Sequence, residues 1–259
     1  MADPVRLERD GGLALVTFDS PPLNLFDEEL RRGLERTVEQ LEAEPPRAVL
    51  FRAEGRVFSA GVDVSVFAAL RGQAAASALF DELVALARRV ERLRCPTVFA
   101  AHALCLTWAF ELALACDLIL AAEAASFGLV EAVVGLTPAM GGTQRLAERA
   151  GSGRARELVM TGRPYAAQTL ERWNVVNRVL PDEGFDLAVR ALAHELAAGP
   201  TLAHAATKDV IRAYLDGGVE GANERVGRIA GELFESEDLQ GAVRTFLERG
   251  PGHATFAGR

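Results

Sequence analysis

The chain has 259 residues, of which 49% are hydrophobic and 25% are charged, and its formal net charge is −8. That length and composition predict a globular protein with a substantial core, organised as one large or two small domains. The charges are scattered and the balance is acidic, which argues against nucleic acid as the main partner.

The first predicted elements are two buried strands with an amphipathic helix between them. Leu13–Phe18 and Ala48–Ala53 are apolar runs rich in β-formers, which indicates strands, and the second run suggests burial on both faces. Asp27 is placed to cap a helix that extends to about Leu41, with apolar residues at three- and four-residue spacing.

The segment from Gly55 to Phe67 carries the first functional signal. A brief strand is predicted at Val57–Phe58, followed by a tight turn at Ser59–Gly61. Small residues in such a turn let the backbone approach a ligand and leave N–H groups free to donate. A plain strand-to-helix turn explains the same residues equally well. The helix predicted next, over Ser77–Arg94, is strongly amphipathic.

The middle of the chain is mostly small and apolar. Thr107 is placed to cap the helix that follows it, and Gly151 to close the helix that begins at Thr143. The order of elements suggests a repeating turn of two short strands and one helix, wound as a spiral. The other predicted elements are strands at 97–101 and 118–122, a helix at 108–115, a short strand and turn at 125–134, and a loop at 136–142.

Two carboxylates, Glu111 and Glu131, lie in these apolar surroundings. A buried, unpaired carboxylate is costly, so such residues are either matched to a partner or kept for chemistry. Taken singly, Glu111 could complement a helix dipole and Glu131 could lie in a surface turn. Because a strand separates them, the chain can turn back so that both face one cavity. There they could hold a water and divide the acid and base roles.

The same region supplies candidate donors for an oxygen that gains negative charge. The helix start at Trp108 leaves free N–H groups, and the turn at 59–62 supplies another. Two N–H groups that converge on one oxygen would form an oxyanion hole.

The rest of the chain is predicted to be largely helical, with one last strand at Val175–Val179. No low-complexity linker divides this region from the front, so it is expected to pack on the core or on a neighbouring subunit. The predicted helices lie at 156–161, 166–173, 186–198, 201–215, 219–234 and 238–248.

Cysteine and histidine spacing gives no sign of a metal site. The cysteines, Cys95, Cys105 and Cys116, are expected to be buried free thiols in a reducing compartment. The apolar run at 98–122 contains ionisable side chains, so it is interpreted as core elements and not as a membrane span. The N-terminal residues show no signal-like pattern, and a cytoplasmic location is expected.

Over nearly its full length the sequence resembles the crotonase family, the enoyl-CoA hydratase/isomerase superfamily. The combination and order of the motifs are specific, although each motif alone is weak. The motifs are PPLNLF, FSAGVDVSVF, FELALACDLILAAE, SFGLVE, GLTPAMGGTQRL, GPTLAHAATK and FESEDLQGAVRTFLER.

The resemblance implies an α/β fold, a crotonase-like spiral of ββα units with a helical C-terminal region. It implies a core over residues 1–195 and helices over 196–259 that pack at the interface of a homotrimer or a dimer of trimers. The implied substrate is an acyl-CoA thioester, with coenzyme A as part of that substrate, no further cofactor and no metal.

The resemblance also implies site residues. The backbone N–H groups of Val62 and Trp108 match the two donors to the thioester oxygen. Glu111 matches the group that activates water for attack at Cβ, and Glu131 the group that protonates Cα. The residues that match the CoA contact, with the small residue before them, are Ala60, Val62, Asp63, Val64 and Ser65.

The sequence departs from the family pattern close to these residues. Thr107-Trp108-Ala109 replaces a glycine run, and the Trp108 ring is expected to narrow or reshape the acyl pocket. Leu129-Val130 replaces the usual Gln-Pro before Glu131. The alternatives to a hydratase are a double-bond isomerase, a malonyl-type CoA decarboxylase and a CoA-ester-binding homologue without catalysis. Retention of both glutamates in apolar surroundings argues against the last of these.

Overall fold

A six-stranded sheet forms the centre of the computed structural model, which describes residues 3–68 and 70–259. Its strands are β1 (Val5–Asp10), β2 (Leu13–Phe18), β3 (Ala48–Ala53), β4 (Thr97–Ala101), β6 (Leu118–Ala122) and β9 (Arg178–Leu180), and this is also their spatial order. β1 pairs antiparallel with β2, and the other pairs of this sheet are parallel.

A second, smaller sheet contains β5 (Cys105–Leu106), β7 (Ser126–Gly128) and β8 (Tyr165–Ala166). β5 follows β4 and precedes helix α4 (Trp108–Ala115), while β7 follows β6 and comes before helix α5 (Gly142–Thr161). Each of these two stretches, β4–β5–α4 and β6–β7–α5, is one turn of a spiral that adds one strand to the large sheet, one strand to the small sheet and then a helix. The predicted spiral of ββα units is therefore confirmed.

The large sheet is buried on both faces because successive side chains of a strand point to opposite sides. On one face Val16 and Phe51 belong to the main core, together with side chains of the helices that cover the sheet. On the other face Leu15 and Leu50 pack with Phe185 and Val189 of helix α7 (Phe185–Ala198). This double burial explains the uninterrupted apolar runs in the parallel strands.

The helices in the first half of the chain lie near their predicted positions. Helix α1 (Glu28–Ala43) is capped as expected by Asp27, whose carboxylate accepts a hydrogen bond of 2.8 Å from the Leu30 N–H. A single turn, α2 (Ser65–Ala68), follows the candidate ligand-binding turn. Helix α3 (Gly72–Glu91) begins and ends earlier than the predicted Ser77–Arg94.

Two predictions of local structure are wrong in detail, the strand at Val57–Phe58 and the bounds of the last strand, and a third is confirmed. The brief strand predicted at Val57–Phe58 is absent, and Ser59 instead makes an isolated β-bridge with Cys105. The helix that begins near Thr143 is closed by Gly151 as predicted, because Gly151 has the non-helical angles φ 79° and ψ 156°, and a second helix follows within α5 to Thr161. The last strand lies at Arg178–Leu180, later than the predicted Val175–Val179.

The C-terminal helices are α6 (Ala167–Arg172), α7, α8 (Thr201–Glu232) and α9 (Glu237–Arg249). Helix α8 is broken at Gly217-Gly218, which matches the predicted division between two helices. Within 3–68 and 70–259, no helix combines the length and apolarity needed to cross a bilayer. The domain boundary after residue 195 stays a prediction, and residues 1, 2 and 69 of the predicted core lie outside the described part.

Candidate active site

A cavity of about 240 Å³ is lined by both predicted glutamates, Glu111 and Glu131. Its wall combines the turn at 60–62, the start of α4, the 3-10 turn Glu131–Val134 and the loop before α5. Most of the surrounding side chains are apolar. They include Val64, Val66, Phe67, Leu79, Phe80, Leu83, Val130, Val133, Val134 and Leu136.

Glu111 is held by the start of a helix other than its own. It lies in the first turn of α4 and is only 3% exposed. Its Oε2 accepts hydrogen bonds from the backbone N–H groups of Met140, at 2.8 Å, and Gly142, at 2.7 Å. Gly142 is the first residue of α5, where helical N–H groups have no intrahelical partner. The carboxylate therefore satisfies these donors and is fixed in one orientation.

Glu131 enters the cavity wall from the segment that follows β7. It is the first residue of the 3-10 turn that follows β7, and it is 8% exposed. Within the described residues its Oε2 is buried without a hydrogen-bond partner. A buried carboxylate oxygen without a donor is costly, so this group is suited to carry a proton or to bind a ligand.

Burial raises the pKa of both carboxyl groups. The pKa of Glu111 is raised to about 8, first by burial and then by the charge of Glu131. Burial raises the pKa of Glu131 to about 7. Because the two groups interact, the two pKa values belong to the pair, which holds one proton between about pH 7 and 8. The higher pKa of Glu111 places that proton mainly on Glu111, because burial outweighs the N–H donors that favour its ionised form.

The Val62 N–H is left free by the strand-like pairing of its neighbours. Val62 forms a parallel bridge with Phe26, in which Phe26 N–H donates to the Gly61 carbonyl and Asp63 N–H donates to the Phe26 carbonyl. Successive N–H groups of an extended segment point in opposite directions, so the Val62 N–H points away from Phe26. In the described part of the chain it has no hydrogen-bond partner.

The Trp108 N–H is free because Trp108 is the first residue of α4. No acceptor for it occurs in residues 3–68 and 70–259. The preceding residue, Thr107, has φ 51° and ψ −119°, in a region that β-branched residues seldom adopt. The peptide between these two residues is thus held in an unusual orientation next to the cavity, which both residues line.

The prediction that Thr107 caps α4 through its side chain is wrong. No side-chain cap hydrogen bond is formed, and the buried Thr107 hydroxyl has no partner among the described residues. The cause is the positive φ, because capping residues normally have extended backbone angles that aim the hydroxyl at the helix N–H groups.

The Trp108 ring extends into the core, and the residue also forms part of the cavity wall. The ring lies 5.1 Å from Phe18 in an edge-on arrangement and 5.3 Å from Phe26, measured between centroids. Its Nε1 donates a hydrogen bond of 2.8 Å to the hydroxyl of Ser59. The side chain that replaces the family's glycine therefore has a defined place in the packing.

The five residues predicted to contact CoA divide into two groups. Ala60, Val62 and Val64 line the cavity. Asp63 and Ser65 are absent from its lining and form a local turn, in which the Asp63 carboxylate accepts a hydrogen bond of 2.9 Å from the Ser65 N–H. Any contact of these two residues with a bound CoA would be outside the enclosed part of the site.

Sequence reasoning missed the groups that orient Glu111. The Met140 and Gly142 N–H groups do so, and Arg145 fixes the same loop by donating to the carbonyls of Met140 and Gly141 at 3.3 and 3.1 Å. Backbone donors carry no residue-specific signal. The paired glycines at 141–142 before a helix were the available sign of close backbone approach.

Known proteins share both this sequence and this architecture. A family model described as enoyl-CoA hydratase/isomerase matches residues 8–256. A Bacillus subtilis protein named "Probable enoyl-CoA hydratase" is 31% identical over 247 residues, covering 95% of this chain and 96% of that protein. A carnitinyl-CoA dehydratase of Salmonella arizonae is 34% identical over 223 residues, covering 85% of this chain and 84% of that protein.

A solved structure supports the fold in the same way. The enoyl-CoA hydratase of Bacillus anthracis superposes with a TM-score of 0.90, covering 99% of this chain and 100% of that chain, at 24% identity. At that identity the likeness concerns the fold alone, which is the crotonase fold. Since the family model extends over nearly all of a chain that also has this spiral architecture, the protein belongs to the enoyl-CoA hydratase/isomerase family.

Proposed function

We propose that the protein is an enoyl-CoA hydratase, which adds water across the double bond of a 2-enoyl-CoA thioester. The observation that carries the proposal is the presence of two buried carboxylates, Glu111 and Glu131, in the wall of one cavity. One of them is fixed by backbone donors and the other has a free buried oxygen. An isomerase or a simple binding protein would not require this pair of unlike carboxylates.

The two carboxylates would share the proton transfers of hydration, starting from the form of the singly protonated pair that has its proton on Glu131. Ionised Glu111 removes a proton from the water, whose oxygen bonds to Cβ. The electron pair of the double bond moves toward Cα and the thioester oxygen, and protonated Glu131 delivers its proton to Cα. The sum is the addition of H and OH from one water. Exchange of the Glu111 proton back to Glu131 through solvent restores the starting state.

The free N–H groups of Val62 and Trp108 would bind the thioester oxygen. Negative charge grows on that oxygen as Cβ is attacked, so donors fixed by the backbone stabilise the transition state more than the substrate. Both groups belong to residues of the cavity wall and have no partner among the described residues, which supports this role.

The apolar wall of the cavity suits a hydrocarbon acyl chain. Side chains of α3 and of the 3-10 turn surround the space beyond the glutamates, including Leu79, Phe80 and Val134. The thioester and its pantetheine arm would enter past Ala60 and Val64, which are among the residues proposed to contact CoA. Coenzyme A would then be part of the substrate, with no further cofactor.

Hydration of crotonyl-CoA tests the proposal directly, because the enoyl-thioester absorbance disappears as water adds. Glu111→Gln and Glu131→Gln should each reduce kcat by roughly 10²- to 10⁴-fold, the range expected for loss of a general acid or base. Glu148→Gln is the matched control. Burial also raises the pKa of Glu148, but this residue does not line the cavity, so the variant should keep wild-type activity. Wild-type activity in either test variant would overturn the two-carboxylate mechanism.

The reverse direction is the second function to examine. The 34% identical relative is named a dehydratase, and the same carboxylates would catalyse loss of water from a 3-hydroxyacyl-CoA by microscopic reversibility. Both directions should be measured with the same variants. A wild-type protein that converts 3-enoyl-CoA to 2-enoyl-CoA without hydrating either would favour an isomerase, and loss of CO₂ from malonyl-CoA would favour a decarboxylase.

A further inference from the structure

The Ser59 hydroxyl uses its full hydrogen-bonding capacity. It accepts from the Trp108 indole N–H at 2.8 Å and from the Gly61 backbone N–H at 3.0 Å, and it donates to the Asn24 carbonyl at 2.7 Å. A serine hydroxyl has one proton to donate and two lone pairs that accept, so this arrangement leaves nothing unused. Ser59 is completely buried, which makes each of these bonds costly to lose.

The same turn is held from its other side by Asn24. The Asn24 side-chain amide donates to the carbonyls of Glu54, Val57 and Phe58, at 2.9, 3.3 and 3.0 Å respectively. Segment 54–61 is therefore hydrogen-bonded to Asn24 and, through Ser59, to Trp108.

The Trp108 ring makes a second connection to the turn through Phe26. The two rings are in contact, and Phe26 is the residue whose backbone bonds to Gly61 and Asp63 on either side of Val62. The backbone of Ser59 also pairs with the strand that leads to Trp108, since the Leu106 N–H donates to the Ser59 carbonyl at 3.1 Å. The segments that carry the two free N–H groups are thus joined by backbone and by one side chain.

We propose that the Trp108 indole is a positioning group that holds the turn Ser59–Val62, so that the Val62 N–H keeps a fixed geometry relative to the Trp108 N–H. One residue would then supply a donor through its backbone and fix the other donor through its side chain. The inference rests on the proposed oxyanion site. A glycine at position 108 could supply the first of these contributions but not the second.

Substitution of Trp108 and substitution of Ser59 should have unequal effects on stability. Trp108→Phe keeps the backbone N–H and the ring packing and leaves only one lone pair of Ser59 without a donor. Ser59→Ala removes the acceptor of two N–H groups and the donor to Asn24, so three buried polar groups lose their partner. Ser59→Ala is therefore expected to unfold at a lower temperature than Trp108→Phe.

The kinetic test compares Trp108→Phe, Ser59→Ala and the double variant, well below the unfolding temperature of each. With crotonyl-CoA, each single variant should lower kcat about 10-fold or more with little change in KM, because a misplaced donor weakens the transition state more than the ground state. The double variant should be no worse than the poorer single variant, since both substitutions break one connection. Trp173→Phe, which removes an indole packed on Tyr165 outside the cavity, is the control and should keep full activity.

A readout that does not need turnover separates this inference from the proposed function. The amide of Gly61, which donates to Ser59, should exchange with deuterium at least about 10-fold faster in Trp108→Phe without any ligand. Unchanged kcat together with unchanged Gly61 exchange would overturn the positioning role. Faster exchange in a protein that shows no hydratase activity would support the positioning role and refute the proposed reaction. A lower unfolding temperature with normal kcat and normal exchange would show that the ring only fills the core, which also overturns the inference.

Discussion

The Glu111 side chain lies directly against Gly142. The Gly142 N–H donates to Oε2 at 2.7 Å, and a Cβ built on Gly142 would lie 2.6 Å from Glu111 Cγ and 3.0 Å from the same oxygen. No real Cβ contact is that short, so the carboxylate occupies the space that a side chain would need. Gly142 thus donates a hydrogen bond to Glu111 and, because it has no side chain, also leaves the space that the carboxylate occupies.

Gly142→Ala should displace Glu111 and lower kcat by about 100-fold, because a catalytic group moved by about 1 Å loses its alignment with the reacting atoms. Gly153→Ala, also in α5 but with open space around the added methyl group, is the matched control. It should keep full activity and gain about 0.5–1 kcal/mol of stability, since alanine is the better helix former. Steady-state kinetics and thermal unfolding of both variants check this. Equal activity of the two variants would contradict the proposed role of Gly142.

Glu111→Gln should lower activity but raise the free energy of unfolding. The gain in stability should be larger at high pH. The folded-state pKa of Glu111 is raised to about 8, so between pH 5 and 8 the unfolded chain has lost a proton that the folded chain keeps. Wild-type stability therefore falls as pH rises through this window, and the amide variant is spared that loss. Urea unfolding should give a difference on the order of 2–3 kcal/mol between pH 5 and 8. Glu29→Gln on the exposed side of α1 is the control, expected to show no such trend.

The pH dependence of kcat/KM should be bell-shaped, with its maximum near pH 7 to 8. The reactive state has Glu111 ionised and Glu131 protonated, and the two pKa values of about 8 and about 7 belong to the pair. Activity falls at low pH when both groups are protonated and at high pH when both are ionised. Initial rates over pH 5.5–9.5 check the profile. A flat profile across this range would exclude a mechanism that uses one proton shared by the pair.

Thr107→Gly should stabilise the fold without loss of activity. Thr107 has a positive φ that strains a β-branched residue, and its hydroxyl is buried with no partner in the described residues. Release of strain of this kind is worth about 1–3 kcal/mol, offset by about 1 kcal/mol for the added freedom of glycine in the unfolded chain. Thr107→Ala keeps a Cβ, and with it the strain of the positive φ, and removes the hydroxyl and the γ-methyl group, so its stability should be lower than that of the glycine variant. A loss of kcat in both variants would show that the Thr107 side chain takes part in catalysis.

The exposed apolar side chains of the C-terminal helices should form a subunit interface. They include Tyr214, Val219, Phe234, Val243, Phe246 and Leu247. Large apolar side chains that stay exposed on a folded protein, where they lie together, commonly mark a contact with another chain. Leu247→Asp, at a side chain that is 80% exposed, should dissociate the homotrimer or dimer of trimers that the family resemblance implies, as measured by size-exclusion chromatography with light scattering. Leu187→Asp on α7, at 75% exposure, is the control and should leave the assembly intact.

The apolar pattern predicts most of the strands and helices, whereas their arrangement as a spiral was suggested by their order and implied by the family resemblance. The runs at β2, β3 and β4 are buried on both faces, and Asp27 caps α1 as its position before an apolar period indicated. The edge strand β1 escaped prediction because four of its six residues are charged and its outer part is exposed. Strand β5 has two residues and no periodicity to detect.

The candidate site was predicted in part, because the chemistry of Glu111 and Glu131 is visible in the residue types. What surrounds them depends on tertiary geometry. The destination of the Trp108 ring depends on Phe18, Phe26 and Ser59, which are distant in sequence. The positive φ of Thr107 also had no local sign, since threonine is a poor choice for that conformation.

The bridge between Ser59 and Cys105 has a consequence for how this protein could be altered. The segments that carry the two free N–H groups are joined by backbone pairing of adjacent spiral turns and by the Trp108–Ser59 hydrogen bond, whereas the acyl wall is made of other side chains such as Leu79 and Val134. The N–H groups that would polarise a thioester are therefore held by residues other than those that would select its acyl chain. Substitutions on that wall can change which thioester is accepted while the donors stay in place, so a protein engineer could vary the specificity of this chain independently of its reaction.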